Sequence, residues 1–99
     1  MYRFIRTATV KNASALAGGL KFAAEVSAYL DKKYSVDMKH GVEIFGKHTI
    51  HWHFESNSVD MMIELNAKLM QDKEYQALLE KYKDVWVEGS LKDTLVAFA

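Results

Sequence analysis

Hydrophobic and polar positions along this chain switch between strand-like and helix-like spacing. The first segment, "YRFIRTATV" (2–10), is rich in β-branched and aromatic residues and predicts a strand. Apolar residues then recur every three or four positions from Leu16 to Tyr34, which predicts a helix with Asn12 or Ser14 as N-cap. The Gly18–Gly19 pair would let this helix approach a sheet closely, although each glycine costs ~1 kcal/mol in helix propensity.

The second half of the chain predicts a hairpin, a helical region and a last strand. Residues 36–45 and 49–54 are strand-like and are separated by "GKH", a hairpin signal. A helix is predicted from about Val59, and Asp72 can cap a further helix before a final strand over 91–98. The order β-α-β-β-α-β predicts an α+β, ferredoxin-like fold with one four-stranded antiparallel sheet and its helices on one face. Without linkers or repeats, residues 1–99 form a single predicted domain.

The second face of this sheet is expected to need cover. The first strand carries Phe4 and Ala8 on one parity and Ile5 on the other, so both faces contain apolar residues. Hydrophobic residues make up 49% of a chain of only 99 residues. We therefore predict a homodimer in which two sheets pack face to face and enclose a cavity.

Charge and composition exclude several classes of partner. The 13 basic and 13 acidic residues balance, with no clustered basic stretch, so nucleic acid is not an expected partner. No segment is long and apolar enough to cross a bilayer, and the first residues do not resemble a signal peptide. The chain contains no cysteine, which excludes disulfides and thiolate chemistry. These observations lead us to expect a cytoplasmic protein without membrane contact.

The segment "HTIHWHFES" (48–56) contains the strongest candidates for chemistry. Residues two apart on a strand share a face, so His51, His53 and Glu55 lie together, and the intervening Trp52 faces the other way. The Trp52 side is strongly apolar and belongs against the helices. The histidine side is then predicted to face the cavity between the two sheets.

The hairpin loop decides which neighbours join the histidines. An odd loop, such as "GKH", places Glu43 and Phe45 beside them, with Val42 and Ile44 under the helices. An even loop would instead place His40 and Val42 there. We favour the odd loop, because the even one buries the charge of Glu43 under the helices without a partner.

The candidate site therefore combines a catalytic group with several ligand contacts. The catalytic candidates are His51, His53 and Glu43, and the ligand-binding candidates are Arg6, Phe45, Glu55 and His40. For Arg6, a salt bridge with Glu43 or Glu55 is favoured over a ligand contact. Metal binding, acid–base or ligand-binding use, and a purely structural use at an interface all fit two histidines with a carboxylate. No motif requires a metal or a cofactor, so we expect neither.

Two segments give the chain a family resemblance. With the βαββαβ order, "WHFES" leading into a helix and "DKEYQALLEKY" near the end of the second helical region resemble the dimeric α+β barrel superfamily, in particular its NIPSNAP-like and antibiotic-biosynthesis-monooxygenase-like members. The resemblance implies a homodimer whose sheets surround a cavity, but activities in that superfamily range from cofactor-free oxygenation to isomerisation, haem degradation and dehalogenation. The expected function is therefore binding of a small, mostly apolar or aromatic molecule, with cofactor-free oxygenation or isomerisation as candidate reactions. The alternative is a non-enzymatic interaction or assembly protein that uses the sheet face only to dimerise.

Overall fold

One antiparallel sheet organises the chain, with strand order β2-β3-β1-β4. A computed structural model describes residues 1–99, and its strands are β1 (Tyr2–Thr9), β2 (Lys39–Val42), β3 (Thr49–Ser56) and β4 (Lys92–Ala97). Its helices are α1 (Leu16–Tyr34), α2 (Val59–Gln71) and α3 (Lys73–Lys81), with 3₁₀ turns at Ala13–Ala15 and Lys83–Val85. The ferredoxin-like α+β fold predicted from the sequence is confirmed. None of the helices combines the length and the apolar character needed to span a bilayer.

The two faces of the sheet differ in what covers them. The pairing of Ala8 with Ile50 and of Phe4 with Phe54 places even-numbered residues of β1 and β3 on one side. Ile50 and Trp52 are only 0% and 4% exposed there, because α1 packs over β2 and β3 and α2 packs over β3. We call this side the helix face. The odd-numbered residues form the opposite side, which we call the open face.

An aromatic cluster fills the centre of the core between α1 and the sheet. The ring of Phe22 meets those of Trp52, Tyr82 and Trp86 edge-on, at centroid distances of 5.9, 5.5 and 5.6 Å. Edge-to-face contacts of this kind stabilise a core beyond the burial of their area. The prediction that Trp52 packs under the helices is confirmed.

Helix α1 lies close to the sheet at Gly19. A Cβ atom at this position would lie 2.7 Å from both Ile50 Cδ1 and Val10 Cγ1, which is too close for a carbon contact. At Gly18 the nearest atom, Val85 Cγ2, would be 3.1 Å away. The expected close approach of the helix is therefore confirmed, and Gly19 carries most of it.

Replacing Gly19 with alanine is expected to lower the free energy of unfolding by roughly 1–3 kcal/mol, since the added methyl overpacks the contact with the buried side chains of Ile50 and Val10. This loss should appear despite the better helix propensity of alanine. Gly18→Ala is the matched control, because it gains the same propensity with a milder contact. Urea titration measures the free energy of unfolding of both variants, and equal stability of the two would contradict the packing argument.

A buried carboxylate joins the end of α1 to the junction of α2 and α3. Asp72 accepts hydrogen bonds from the hydroxyls of Tyr29 and Tyr34 and from the ammonium of Lys33 at 2.5–3.0 Å. The same side chain accepts from the backbone N–H groups of Glu74 and Tyr75, so it is the predicted N-cap of α3. Its side chain is only 2% exposed. One residue thereby fixes the position of three helices.

The open face is more polar than the sequence analysis expected. Its apolar residues are few: Ile5, Val96 and Phe98. Threonines and ionisable side chains occupy most of the remaining positions, among them Thr7, Thr9, Thr49, Thr94, Lys39, Lys92, His51 and His53. The expectation of an apolar surface on both faces is therefore wrong in degree, because the apolar residues of β4 point mainly to the helix face.

Candidate functional site

The hairpin between β2 and β3 has the favoured odd register, with a longer loop than predicted. Val42 lies opposite Ile50, and the amide of Glu43 donates to the carbonyl of Thr49 at 2.9 Å. Residues 44–48 then form the loop, and its positive-φ residues Gly46 (+112°) and His48 (+57°) turn the chain. The strand thus ends before residue 44 instead of after residue 45.

This longer loop corrects two placements. Ile44 is 84% exposed and Phe45 is 90% exposed, so both lie at the hairpin tip. Ile44 is not under the helices, and Phe45 does not lie beside the histidines. Periodicity could not reveal this, because the apolar residues of "VEIF" continue the strand pattern into the loop.

The predicted catalytic group does come together on the open face. The ring Nε2 of His51 lies 3.2 Å from the Glu43 carboxylate, a distance at which the carboxylate can fix the orientation of the ring. His53 lies two residues along the same strand, between Ile5 of β1 and Lys39 of β2. The side chains of His51 and Glu43 are 40% and 41% exposed, so the pair lies at the surface of the chain.

Glu55 and Arg6 have other partners than expected. The carboxylate of Glu55 pairs with Arg3 at 2.6 Å, so it does not orient a histidine. Arg6 pairs with Asp93, because its even number places it on the helix face, away from Glu43 and Glu55. The predicted ion pair of Arg6 with either glutamate is therefore wrong.

His40 also lies apart from the other histidines. It is opposite Trp52 in the sheet, and its Nδ1 lies 3.2 Å from the hydroxyl of Ser27 on α1. Its role as a ligand contact beside His51 required the even loop, which is not the loop observed. No group of three or more histidine, aspartate and glutamate side chains is arranged to hold a metal ion.

An apolar cavity lies on the helix face, away from the histidines. It has a volume of about 550 Å³, and 18 of its 21 lining residues are hydrophobic. The cavity is a cleft, because the helices pack mainly over β2 and β3 and leave β1 and β4 less covered. Leu91 and Leu95 at its rim remain 60% and 47% exposed. A volume between about 300 and 1,000 Å³ with an apolar lining is typical of sites for small molecules.

A few polar groups interrupt this apolar lining. The indole Nε1 of Trp52 is buried and has no hydrogen-bond partner, although a buried N–H group is almost always paired. Asn66 of α2 adds an amide, and Tyr75 of α3 adds a hydroxyl. Because this nitrogen is inaccessible to water, a ligand acceptor would reach it only if a neighbouring side chain of the lining moved; the acceptor would then satisfy an otherwise unpaired donor.

The two charged residues of the cleft form an ion pair. The Nε and Nη2 atoms of Arg6 donate to the two carboxylate oxygens of Asp93 at 2.7 and 2.9 Å. Nη1 lies 3.5 Å from the hydroxyl of Tyr75. The hydrogen bonds that Arg6 donates to the carboxylate of Asp93 are the main cause that raises the pKa of Arg6, so the guanidinium stays charged. Arg6 was a predicted site residue, but its pairing with Asp93 was not predicted.

Comparison with solved structures identifies relatives of this architecture. A NIPSNAP family protein of unknown function from Agrobacterium tumefaciens, Atu4242, superposes with a TM-score of 0.81 at 23% identity, covering 100% of this chain and 94% of that one. SnoaB, a cofactor-independent oxygenase from Streptomyces nogalater, gives 0.70 at 10% identity, covering 98% and 91%. An antibiotic biosynthesis monooxygenase gives 0.73 at 10% identity, covering 100% and 99%. This chain has the NIPSNAP-like and monooxygenase-like fold. No family model and no curated protein matches its sequence.

Within this NIPSNAP-like fold, the catalytic residues predicted from the sequence lie on the open face, and the cleft on the helix face was not predicted. The strand parity that grouped the histidines also grouped Arg6 with Phe4 and Trp52. That signal was available, because a charged residue on an otherwise apolar strand face needs a partner. Asp93 occupies the matching position on β4, directly opposite Arg6.

Proposed function

We propose that the chain binds a small, mostly apolar or aromatic molecule in the cleft on its helix face. The observation that carries this proposal is the apolar cleft of about 550 Å³, whose lining includes Trp52, a residue with a buried and unpartnered Nε1. A ligand carbonyl or hydroxyl oxygen would satisfy this donor, while the apolar walls bury the rest of the molecule. Asn66 and the free edge of Arg6 offer further polar contacts.

The chain is proposed to act as a homodimer through its open face. Several charges there are paired within one chain, as in Arg3–Glu55 and His51–Glu43, so a partner sheet can cover them without leaving them alone. Ile5, Val96 and Phe98 supply apolar area to such a contact. Light scattering should then give about twice the 11.3 kDa chain mass.

Two adjacent residues of β4 allow the two faces to be tested separately. Leu95 lines the cleft, and its neighbour Thr94 lies on the open face opposite Ile5. Leu95→Arg is expected to weaken binding of 2-naphthol by at least roughly tenfold, because it brings an unpaired charge to an apolar rim, and to leave the dimer intact. Thr94→Arg is expected to do the reverse. Calorimetric titration and light scattering measure the two effects.

These two variants also control each other, since each adds the same charge to the same strand. Loss of the dimer in both, or in neither, would contradict the assignment of the faces. If 2-naphthol and other flat aromatic molecules fail to bind the parent protein, the cleft is not a ligand site. The alternative function, a non-enzymatic assembly protein, would then gain support.

The second candidate function is an enzyme that uses the cleft for cofactor-free oxygenation or isomerisation. Both reactions develop negative charge on a substrate oxygen, and a fixed N–H donor in a dry cleft, such as that of Trp52, stabilises this charge. SnoaB, which shares the fold, is a cofactor-independent oxygenase. Oxygen uptake with 1-naphthol, accompanied by formation of an oxygenated product, would support this candidate, and uptake that Leu95→Arg does not reduce would count against it.

The histidines of the open face are not part of the proposed ligand site. A catalytic role of His51, His53 and Glu43 stays a prediction that depends on a cavity between two open faces. The pair of His51 with Glu43 and the flanking charge of Lys39 also suit a dimer contact. The cleft on the helix face has its own polar groups and is the site that we favour.

A further inference from the structure

We propose that Asp93 makes the cleft selective for uncharged ligands by neutralising Arg6. This inference rests on the proposed function of the cleft and adds the charge class of its ligand. Arg6 and Asp93 are the only charged residues among the 21 that line the cleft. This pair therefore supplies the formal charges nearest to a ligand in the cleft.

The ion pair occupies one side of the Arg6 guanidinium. Nε and Nη2 of Arg6 are taken by the two oxygens of Asp93 in a bidentate contact. Nη1 remains, and it lies toward Tyr75, at 3.5 Å from the hydroxyl. The face of the guanidinium lies 5.6 Å from the ring of Phe4, which anchors it against the sheet. The N–H groups that remain for a ligand, on Nη1 and the second one on Nη2, thus belong to a cation whose charge Asp93 already neutralises.

An anionic ligand would lose its hydration and gain little in return. The carboxylate of Asp93, which also lines the cleft, repels a second anion while it cancels the attraction of Arg6. A neutral carbonyl, amide or protonated phenol faces no such repulsion and can accept from Nη1 of Arg6. The expected ligands are accordingly flat, uncharged aromatic molecules with one or two oxygen acceptors.

Two ligands of equal shape and different charge test this selectivity. Isothermal titration with 2-naphthamide and with 2-naphthoate at pH 7 gives the ratio of their dissociation constants for the full chain. In the parent protein, 2-naphthamide should bind more tightly by at least roughly tenfold. In Asp93→Asn, which keeps the shape and one acceptor but frees the charge of Arg6, the preference should shift toward 2-naphthoate by roughly tenfold.

A reciprocal variant and a charge control complete the test. Arg6→Gln leaves Asp93 alone and should shift the preference further toward 2-naphthamide. Asp31→Asn changes the same net charge on the exposed surface of α1 and should leave the ratio unchanged. If both ligands bind the parent and neither Asp93→Asn nor Arg6→Gln moves the ratio by more than about twofold, the charge selectivity is overturned and the ligand cleft stands. If neither ligand binds the parent, the proposed function fails, and this inference fails with it.

Discussion

Replacing Asp72 with alanine is expected to lower the melting temperature by roughly 10 °C or more, since a domain of this size loses several degrees for each kcal/mol. The substitution removes the N-cap of α3 and leaves the hydroxyls of Tyr29 and Tyr34 without their buried acceptor. It also removes the ion-pair partner of Lys33, whose side chain is about half exposed. Loss of a cap and orphaning of buried donors are both recognised causes of large destabilisation.

A second aspartate provides the matched control. Asp60 lies in the first turn of α2 and is exposed, so Asp60→Ala should change the melting temperature by less than about 2 °C. Asp72→Asn should fall between the two, because asparagine still caps a helix but loses the charge that Lys33 requires. Thermal melts followed by circular dichroism decide the order. Equal melting temperatures for Asp72→Ala and Asp60→Ala would show that the cluster does not hold the helices together.

The same carboxylate predicts how stability depends on pH. The hydroxyl of Tyr29, that of Tyr34 and the ammonium of Lys33 hold the pKa of Asp72 well below its ordinary value of 3.8. A carboxylate with a lowered pKa contributes its full stabilisation above the unfolded-state pKa and loses it as the pH falls through the folded pKa. The free energy of unfolding should therefore decrease as the pH drops below about 4. In Asp72→Asn this part of the pH dependence should be absent.

Local patterns in the sequence predicted the parts of the fold that local chemistry controls. Strand parity placed Trp52 in the core and His51 with Glu43 on the other face, and the register followed from the cost of burying one glutamate. The capping role of Asp72 was likewise visible from its position before an amphipathic segment. In each case a few neighbouring residues determine the outcome.

Features that depend on how elements pack together were not predictable in the same way. The end of β2 is set by the turn at Gly46 and His48, whose positive φ angles interrupt an apolar pattern that runs on to Phe45. The cleft arises because the helices sit mainly over β2 and β3, and no spacing in the sequence gives that offset. The histidines are conspicuous in the sequence and were predicted as the site, whereas the unpaired indole nitrogen of Trp52 depends on three-dimensional packing and was not predicted.

The fold consequently offers two surfaces for which we propose separate roles. The open face carries threonines and self-paired charges, which suits contact with a second sheet. The helix face carries the apolar cleft with Trp52 and the Arg6–Asp93 pair. Strands β1 and β4 each contribute alternate residues to the two sides of the sheet. A substitution at one position can therefore affect one proposed role and spare the other. This separation is what makes the ligand and dimer proposals independently testable.

The second large effect is expected from Trp52→Phe, which should weaken binding of 2-naphthamide by roughly ten- to a hundredfold, the equivalent of a hydrogen bond made to a buried group. The phenyl ring keeps an aromatic surface against Phe22 but removes the only buried N–H that lacks a partner within the chain. Trp86→Phe is the matched control, because Trp86 belongs to the same aromatic cluster and lines the same cleft, but its nitrogen is not a buried orphan.

Both substitutions remove a similar volume, so both should cost stability through the space they leave. They should differ in ligand affinity, which isothermal titration measures directly. They should also differ in stability, since Trp52→Phe eliminates an unsatisfied donor and thereby offsets part of its packing loss. If the two variants bind 2-naphthamide equally well, the orphan indole nitrogen is not the anchor of the ligand, and the polar contacts of the cleft must come from Asn66, Tyr75 and Arg6 alone.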